Sequence, residues 1–127
     1  MERIIKSMEN KYLMPSLELV QEVFSEWDSL EEGKIVRQLV EEIRAKKYYI
    51  PELELVMVDE NDEIIGYAMF SRFHIEGKYE NELLILTPVA VKTRLQRQHI
   101  SKDILEYGFD VAKRQQSSKN LEKKDTN

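Results

Sequence analysis

The sequence predicts an α+β fold, a mixed α/β sandwich, with the element order β-α-α-β-β-β-α. Apolar residues recur at helical spacing in two stretches between residues 17 and 43. Three runs rich in β-branched and apolar residues follow between residues 53 and 91, and turn-forming sequences separate them. A third helical pattern comes last. A chain of 127 residues holds these elements in one domain around one core.

The first two predicted elements are a short edge strand at residues 3–5 and a helix behind it. Pro15 and Ser16 indicate the start of this helix, with Ser16 as the N-cap, because a serine hydroxyl accepts a hydrogen bond from a free N–H of the first turn. Its apolar residues are expected to form one buried stripe, made of Leu17, Val20, Val23, Phe24 and Trp27.

The second helix opens at Ser29, which stands three residues before Glu32 as in a capping box. Lys46 and Lys47 suit the negative end of the helix dipole, and Pro51 closes the connection that follows. The apolar side of this helix consists of Ile35, Val36, Leu39, Val40 and Ile43.

Residues 53–59 and 64–75 are predicted to form an antiparallel hairpin around the turn "ENDE". Residues 82–91 form a third run, apolar on both faces like a strand that is covered on both sides. Pro88 interrupts this run, and proline cannot donate to a β ladder. It marks either the strand end or a bulge whose unpaired backbone could pair with an extended ligand.

The last helix has a stripe that runs to about Gln115, and the polar residues 117–127 follow it. Because this tail has almost nothing to bury, we expect a disordered end or a frayed helix there. The stripe consists of Ile104, Leu105, Gly108, Val111 and Ala112.

Composition excludes several classes of function. The chain has no cysteine, so it has no disulfide, thiolate metal site or cysteine nucleophile, and His74 and His99 have no metal-ligand spacing. The net charge of −5 argues against nucleic-acid binding. No apolar run approaches the ~20 residues that span a bilayer, and the N-terminus lacks the apolar core of a signal peptide. We therefore expect a cytoplasmic protein with no membrane partner.

Positive charge gathers where the last helix begins. Lys92, Arg94, Arg97 and Lys102 lie together with His99, and no acid intervenes before Asp103. A helix N-terminus already carries partial positive charge, so such cations are unfavourable there unless an anion joins them. Each cation alone could be a solvated surface charge, but the cluster predicts a small phosphorylated ligand.

These residues resemble a known family. The run "ELVMVDENDEIIGYAMFSRFHIEG" with "LLILTPVAVKTRLQRQHISKDILEYGFDVAK" is similar to the GCN5-related N-acetyltransferases (GNAT family), especially the small bacterial ones, over residues 17–115. In that family a bulged strand ends in P-x-A-V, and a turn Gln/Arg-x-x-Gly-x-Gly/Ala binds the diphosphate of acetyl-coenzyme A. Residues 87–91, "TPVAV", and residues 96–101 occupy these places.

The resemblance implies the acyl-CoA N-acyltransferase fold, with acetyl-CoA as co-substrate and no metal. Arg94, Arg97 and Lys102 would meet the phosphates at the helix N-terminus. The residues implied to bind the coenzyme are Val89, Ala90, Val91, Gln96, Arg97, Gln98, His99, Ile100, Ser101 and Lys102.

Two departures from the family pattern stand out. His99 and Ser101 replace both glycines of the turn, where glycine lets the backbone approach phosphate closely or take a positive φ. The family also continues with a strand, a helix and a final hairpin, which residues 117–127 do not resemble. The expectation is a single GNAT-like domain over residues 1–116, C-terminally incomplete, with a polar tail at 117–127. A natural truncation, a frameshift and a shortened chain all remain open.

No catalytic residue is assigned from the sequence. Transfer to an amine needs a base, commonly a carboxylate acting through water, and Glu80 and Glu82 are the candidates beside the third run. Tyr67, Tyr79 and Tyr107 are better explained as packing aromatics than as proton donors.

The resemblance implies an N-acetyltransferase that passes acetyl from acetyl-CoA to an unidentified small-molecule or peptide amine. Direct attack is expected because no cysteine can carry an acyl group. Enzymatic activity depends on whether the missing C-terminal part is supplied or dispensable. The alternatives are a degenerate, non-catalytic CoA-binding or protein-interaction module, and a small α+β interaction protein with a chance resemblance. We also expect self-association through the exposed edge of "LLILTPVAV".

Overall fold

The computed structural model describes residues 3–47, 49–73 and 83–125, and its elements follow the predicted order. The four strands form one sheet, and the three helices cover its two faces, which confirms the α+β class. The strands are β1 (Ile4–Ser7), β2 (Glu54–Val58), β3 (Ile64–Phe73) and β4 (Leu83–Val91). The helices are α1 (Leu13–Trp27), α2 (Leu30–Arg44) and α3 (Ile100–Asp125).

The sheet has the order β1-β2-β3-β4, and each neighbouring pair is antiparallel. The predicted hairpin of β2 and β3 is confirmed. Asp59 shapes its turn, because its Oδ1 accepts the N–H groups of Asn61 (2.9 Å) and Glu63 (3.0 Å). Within the described part of the chain, β1 and β4 are the two edges of the sheet.

Pro88 lies in a bulge of β4, which confirms one of the two interpretations that the sequence allowed. Ala68 pairs with Val89, but Phe70 pairs with Leu86, so Thr87 and Pro88 together face the single residue Met69. A proline fits here because the extra residue of a bulge does not need to donate to the ladder. The prediction that both faces of β4 are covered depends on side chains that lie partly outside the described residues.

The core is divided by the sheet into two layers. Alternate residues of a strand point to opposite faces, so Val56 of β2 packs towards α1 and α2 while Leu55 and Met57 pack towards α3. The first layer is built around Leu17, Val20, Val40, Tyr67 and Met69, and the second around Ile65, Phe70, Leu95, Ile100 and Ile104.

The predicted start of α1 is wrong. The helix begins at Leu13, and Ser16 is a buried residue of its first turn whose hydroxyl donates to the Leu13 carbonyl at 2.8 Å. A 3-10 turn over Asn10–Tyr12 leads directly into the helix and brings Tyr12 to the N-cap position without a side-chain cap. Pro15 is compatible with this arrangement because a proline in the first turn sacrifices no intrahelical hydrogen bond.

The buried stripes of α1 and α2 are narrower than the sequence predicted. Trp27, the last residue of α1, is 81% exposed, and Leu19 is buried instead. On α2, Ile35 is 58% exposed and Leu39 is 39% exposed, whereas Val36, Val40 and Ile43 are buried as expected. The N-cap of α2 is confirmed, since Ser29 Oγ accepts the N–H of Glu32 at 3.1 Å.

Of the two alternatives for the tail, the structure shows a helix, because α3 runs on from Gln115 to Asp125. The tail composition argued against burial, but residues 117–125 contain no glycine or proline and include three lysines, a leucine and a glutamate, which favour helices. The division into a domain at 1–116 and a tail at 117–127 stays a prediction. Among the described residues, no helix is both long and apolar enough to cross a membrane.

Candidate functional site

The candidate site is the turn that joins β4 to α3. After Val91 the chain makes a 3-10 turn over Thr93–Leu95, passes through residues 96–99 and enters α3 at Ile100. Leu95 and Ile100 are buried at the two ends of the turn, while residues 96–99 are exposed. The turn is therefore a surface loop anchored on both sides by apolar side chains.

Two residues of this turn have left-handed backbone conformations. The φ angle is 70° at Arg97 and 62° at His99. Only glycine adopts this region without steric cost, and other residues do so at an expense of about 1–3 kcal/mol. The resemblance sets His99 in the place of the first glycine of the family turn, and its φ angle is one that glycine adopts freely. Here the turn forms without it.

The cations of the cluster are not equivalent. Lys92 pairs with Glu63, which directly precedes β3. Lys92 is therefore not among the cations available to a ligand. Arg94, Arg97 and Lys102 are exposed, and the Lys102 ammonium is as far as 4.0 Å from Glu106. Arg97 and Lys102 therefore bring positive charge to the N-terminus of α3, where the helix dipole has the same sign.

A pocket of about 370 Å³ opens at this helix N-terminus, and we call it the turn pocket. Leu95, which the sequence did not suggest as a site residue, lines it as well. Gln98 belongs to the turn without lining the pocket, Val89 lies in the neighbouring cleft, and Ala90 is buried towards α1 and α2. The predicted site residues that line the turn pocket are Val91, Gln96, Arg97, His99, Ile100, Ser101 and Lys102.

A second cavity of about 420 Å³ lies between α1 and β4, and we call it the apolar cleft. It shares the lining residues Val91, Gln96 and Ser101 with the turn pocket, so the two cavities are neighbours. Phe24 and Trp27 form an edge-to-face pair on its α1 side, with ring centroids 6.1 Å apart. The exposed Trp27 thus lies in the wall of a cleft, a position that helical periodicity could not predict. The cleft is completed by Val23 and Val89.

Several contacts fix the position of the turn. The Thr93 hydroxyl donates to the Glu26 carboxylate of α1, and Gln96 Nε2 donates to the Val91 carbonyl at 3.4 Å. Gly66 of β3 lies under the first turns of α3, where an added Cβ would come within 2.7 Å of Ile104 Cδ1. The absence of a side chain at this glycine lets the start of the helix rest directly on the sheet.

The candidate catalytic residues receive little support from the geometry. His74, Tyr79, Glu80 and Glu82 lie outside the described residues, and His99 is exposed without a described partner. Tyr67 is buried with its hydroxyl 2.6 Å from Glu54, and Tyr107 packs in the α3 layer, which confirms both as packing aromatics. No group of three or more metal-ligating side chains occurs among the residues described.

Sequence reasoning missed the buried carboxylate of Glu54, the first residue of β2. It accepts hydrogen bonds from Arg44 Nε at 2.8 Å and from the hydroxyls of Tyr49 and Tyr67. Burial raises the pKa of Tyr67 well above its usual range, and repulsion by the Glu54 carboxylate adds to that effect. The Glu54 carboxylate joins α2 to the sheet. It lines neither cavity and takes no part in the site.

Chemically, the turn pocket suits an anion. Free N–H groups at a helix N-terminus, the helix dipole and two cations converge on one concave surface, which is how proteins hold phosphate groups. The apolar cleft beside it suits a less polar continuation of the same ligand, or a second substrate.

Comparisons with known proteins agree with this description. A model of the acetyltransferase (GNAT) family matches residues 17–127. Among curated protein sequences, none matches the chain significantly. A GNAT family acetyltransferase from Brucella melitensis, solved in complex with acetyl-CoA, is 22% identical with a TM-score of 0.74. The match covers 88% of this chain and 69% of that one.

Two Escherichia coli structures are also similar. The GNAT family N-acetyltransferase YhbS, solved in complex with CoA, is 23% identical with a TM-score of 0.67, and the match covers 87% of this chain and 56% of that one. The ribosomal-protein-S18-alanine N-acetyltransferase is 15% identical with a TM-score of 0.64, covering 90% and 61%. This chain therefore spans 56% to 69% of the length of the three structures.

Proposed function

Because the chain belongs to the acetyltransferase (GNAT) family, we propose that it binds acetyl-coenzyme A and passes the acetyl group to an amine. The observation that carries the proposal is the turn pocket, with its left-handed turn, its two cations and the N-terminus of α3. The Brucella and YhbS structures that share this fold hold acetyl-CoA and CoA, respectively.

In this proposal the turn pocket holds the diphosphate of the coenzyme. The first backbone N–H groups of α3 donate to phosphate oxygens, and Arg97 and Lys102 neutralise their charge. The remaining arm of the coenzyme follows β4 towards Val89. Its amides pair with backbone groups beside the Pro88 bulge, in the manner of an added strand.

The acceptor amine enters through the apolar cleft. Its nitrogen attacks the thioester carbonyl, so that a C–N bond forms, the C–S bond breaks and the sulfur leaves as a thiolate. The amine proton passes to a base, commonly reached through water, and the thiolate is protonated as the free thiol. Phe24 and Trp27 form the α1 wall of the cleft and orient an acceptor with apolar surface. No base or acid is assigned.

Titration calorimetry with acetyl-coenzyme A tests the binding step. We expect saturable binding that weakens as salt concentration rises, because part of the attraction comes from exposed cations. Acetyl-pantetheine, which lacks the phosphates, is the matched control ligand and should bind far more weakly. Complete failure of acetyl-coenzyme A to bind at millimolar concentration and low salt would overturn the proposal.

A second candidate function is a non-catalytic module that binds coenzyme A. The replacement of the turn glycines by His99 and Ser101 favours it. One assay distinguishes the two functions. It measures the release of free thiol from acetyl-coenzyme A in the presence of a panel of amines. Binding without thiol release from any amine would favour the module.

We also propose that two copies of the chain associate through β4. This strand is an edge of the sheet in the described part of the chain, and an apolar edge tends to recruit another strand. The Pro88 bulge interrupts only one part of it. The strand as a whole remains long enough to pair with its counterpart.

A further inference from the structure

Gln98 occupies the centre of the strained turn. It lies between Arg97 and His99, the two residues with left-handed backbone, and it does not line the turn pocket. Its side-chain Oε1 accepts a hydrogen bond from Arg3 Nη2, across 95 positions of sequence. The middle of the turn is thereby tied to the opposite end of the chain.

Arg3 is the residue immediately before β1. That strand pairs with β2 so that Ile4 faces Val58, which brings the start of β1 to the end of the sheet where β4 leads into the turn. Arg3 also lies outside residues 17–127, the segment that the family model matches. The contact is therefore a property of this chain that the family match does not assign.

The guanidinium of Arg3 is partly withdrawn from solvent. The residue is half-buried, and its Nε is buried with no hydrogen-bond partner among the described residues. An unpaired buried donor costs about 1–3 kcal/mol, so a freely mobile arginine would turn this group to water. The hydrogen bond from the outer nitrogen to Gln98 offsets this cost and favours the observed position of the side chain.

We propose that Arg3 is a positioning residue for the coenzyme-binding turn, a role that rests on the proposed function. The directions of the turn N–H groups depend on the φ angles at Arg97 and His99, and neither residue adopts these angles freely. Anchoring the side chain between them restricts both neighbouring peptide planes. Without the anchor, the binding-competent turn is populated less, and the affinity falls by the same fraction.

The test is a double-mutant cycle measured by acetyl-coenzyme A titration. Arg3→Met and Gln98→Leu should each weaken binding by about 3- to 10-fold, which is the range expected for one hydrogen bond. The double variant should bind no more weakly than either single variant, because Arg3 acts through Gln98. Arg3→Lys, which keeps a donor, should recover part of the loss. Lys113→Met removes the same charge from an exposed site on α3 and should leave affinity unchanged.

Two outcomes overturn the role of Arg3 while leaving the proposed function intact. One is wild-type affinity in Arg3→Met. The other is an equal effect of Arg3→Met in the wild-type and Gln98→Leu backgrounds, which would mean that Arg3 acts only as a charge. Failure of the wild-type chain itself to bind overturns the proposed function instead.

A measurement of backbone mobility without ligand separates the role of Arg3 from the question of coenzyme binding. Backbone ¹⁵N relaxation should show that residues 97–99 become more mobile in Arg3→Met, while the thermal midpoint stays close to that of the wild type. Unchanged order at these amides would overturn the positioning role whatever the coenzyme does.

Discussion

Arg44 and Glu54 form an ion pair in the interior, with Arg44 Nη2 at 2.7 Å from Glu54 Oε2 and the Glu54 side chain fully buried. The pair joins the last residue of α2 to the first residue of β2. Arg44 also donates to Ser16 Oγ at 2.7 Å and to the Leu13 carbonyl at 3.2 Å, at the start of α1. One side chain thus connects both helices of this layer to the sheet.

Arg44→Met is expected to destabilise the fold by roughly 3–5 kcal/mol, because it leaves a buried carboxylate without its countercharge. Urea unfolding measures this change. The matched control is Arg37→Met on the same helix, which pairs with the exposed Glu41 at 3.5 Å and donates to Gln21 of α1 at 2.8 Å. It should cost less than about 2 kcal/mol, because neither partner is a buried charge. The double variant Arg44→Met with Glu54→Gln should lose less stability than Arg44→Met alone. Equal losses for Arg37→Met and Arg44→Met would contradict this account of the pair.

Stability should also fall at alkaline pH. Burial, followed by the hydrogen bond to Glu54, holds the pKa of Tyr49 above its ordinary value, and burial does the same for Tyr67. In the unfolded chain these tyrosines release their protons near pH ~10, while in the folded chain they keep them. The contribution is complete below that pH and is lost as the pH rises beyond it.

The free energy of unfolding, measured by denaturant at pH values from about 8 to about 11, should therefore decline above pH ~10. Tyr49→Phe removes one of the two tyrosines with a raised pKa and should make the decline shallower. An identical slope in this variant would show that Tyr49 does not keep its proton in the folded chain.

Gly33→Ala should destabilise the protein although alanine usually stabilises a helix by up to about 1 kcal/mol over glycine. A Cβ at this position of α2 would lie 2.0 Å from Ser25 Oγ and 2.5 Å from the Gln21 carbonyl oxygen of α1. The carbonyl cannot move without displacing the helix, so we expect a loss of roughly 1–3 kcal/mol. Thermal unfolding checks this against Lys34→Ala, an exposed neighbour that should be nearly neutral. A gain in stability would mean that the helices separate freely.

His99→Gly should tighten acetyl-coenzyme A binding by roughly 3- to 10-fold, because glycine adopts the left-handed conformation without cost and lets the backbone come closer to phosphate. Ser101 lies in the first turn of α3 and has no positive φ. Adding Ser101→Gly should therefore bring little further gain. Calorimetry on the two variants decides, and weaker binding by His99→Gly would show that the turn does not serve the coenzyme in the family manner.

Association through β4 should be visible by sedimentation velocity at micromolar concentration, as a dimer that Leu84→Lys or Ile85→Lys dissociates. A charge placed on an edge strand opposes pairing with another chain. Ile4→Lys provides the control on β1, the other edge of the described sheet, where Ile4 is 50% exposed. A wild-type chain that sediments as a monomer over the whole concentration range would exclude this association.

Much of the fold could be predicted because its signals are local. The capping spacing at Ser29, the hairpin turn around Asp62 and the proline bulge at Pro88 each depend on a few adjacent residues. The cation cluster likewise indicated a ligand site at the start of the last helix, and this phosphate site stays a prediction. The geometry brings most of those residues around one cavity.

The features that escaped prediction depend on contacts between distant elements. Glu54 has the pattern of a polar strand residue, and its burial depends on Arg44, Tyr49 and Tyr67 converging on it. Trp27 has the spacing of a core residue, but it lies at the end of α1 beside an open cleft. Arg3 carries no local signal for its contact with Gln98. Sequence periodicity describes one element at a time and contains none of these relationships.

The connection between β1 and β2 has a consequence for the order of folding. These strands are antiparallel neighbours, yet residues 8–53 with both α1 and α2 separate them, whereas β2, β3, β4 and α3 follow one another directly. Closing a longer loop costs more chain entropy, so we expect the contiguous C-terminal half to assemble first and β1 to join it late. During synthesis β1 leaves the ribosome before β2 and waits seconds for this partner, at about 5–20 residues per second. Of the four described strands, the one made earliest is thus expected to be paired last.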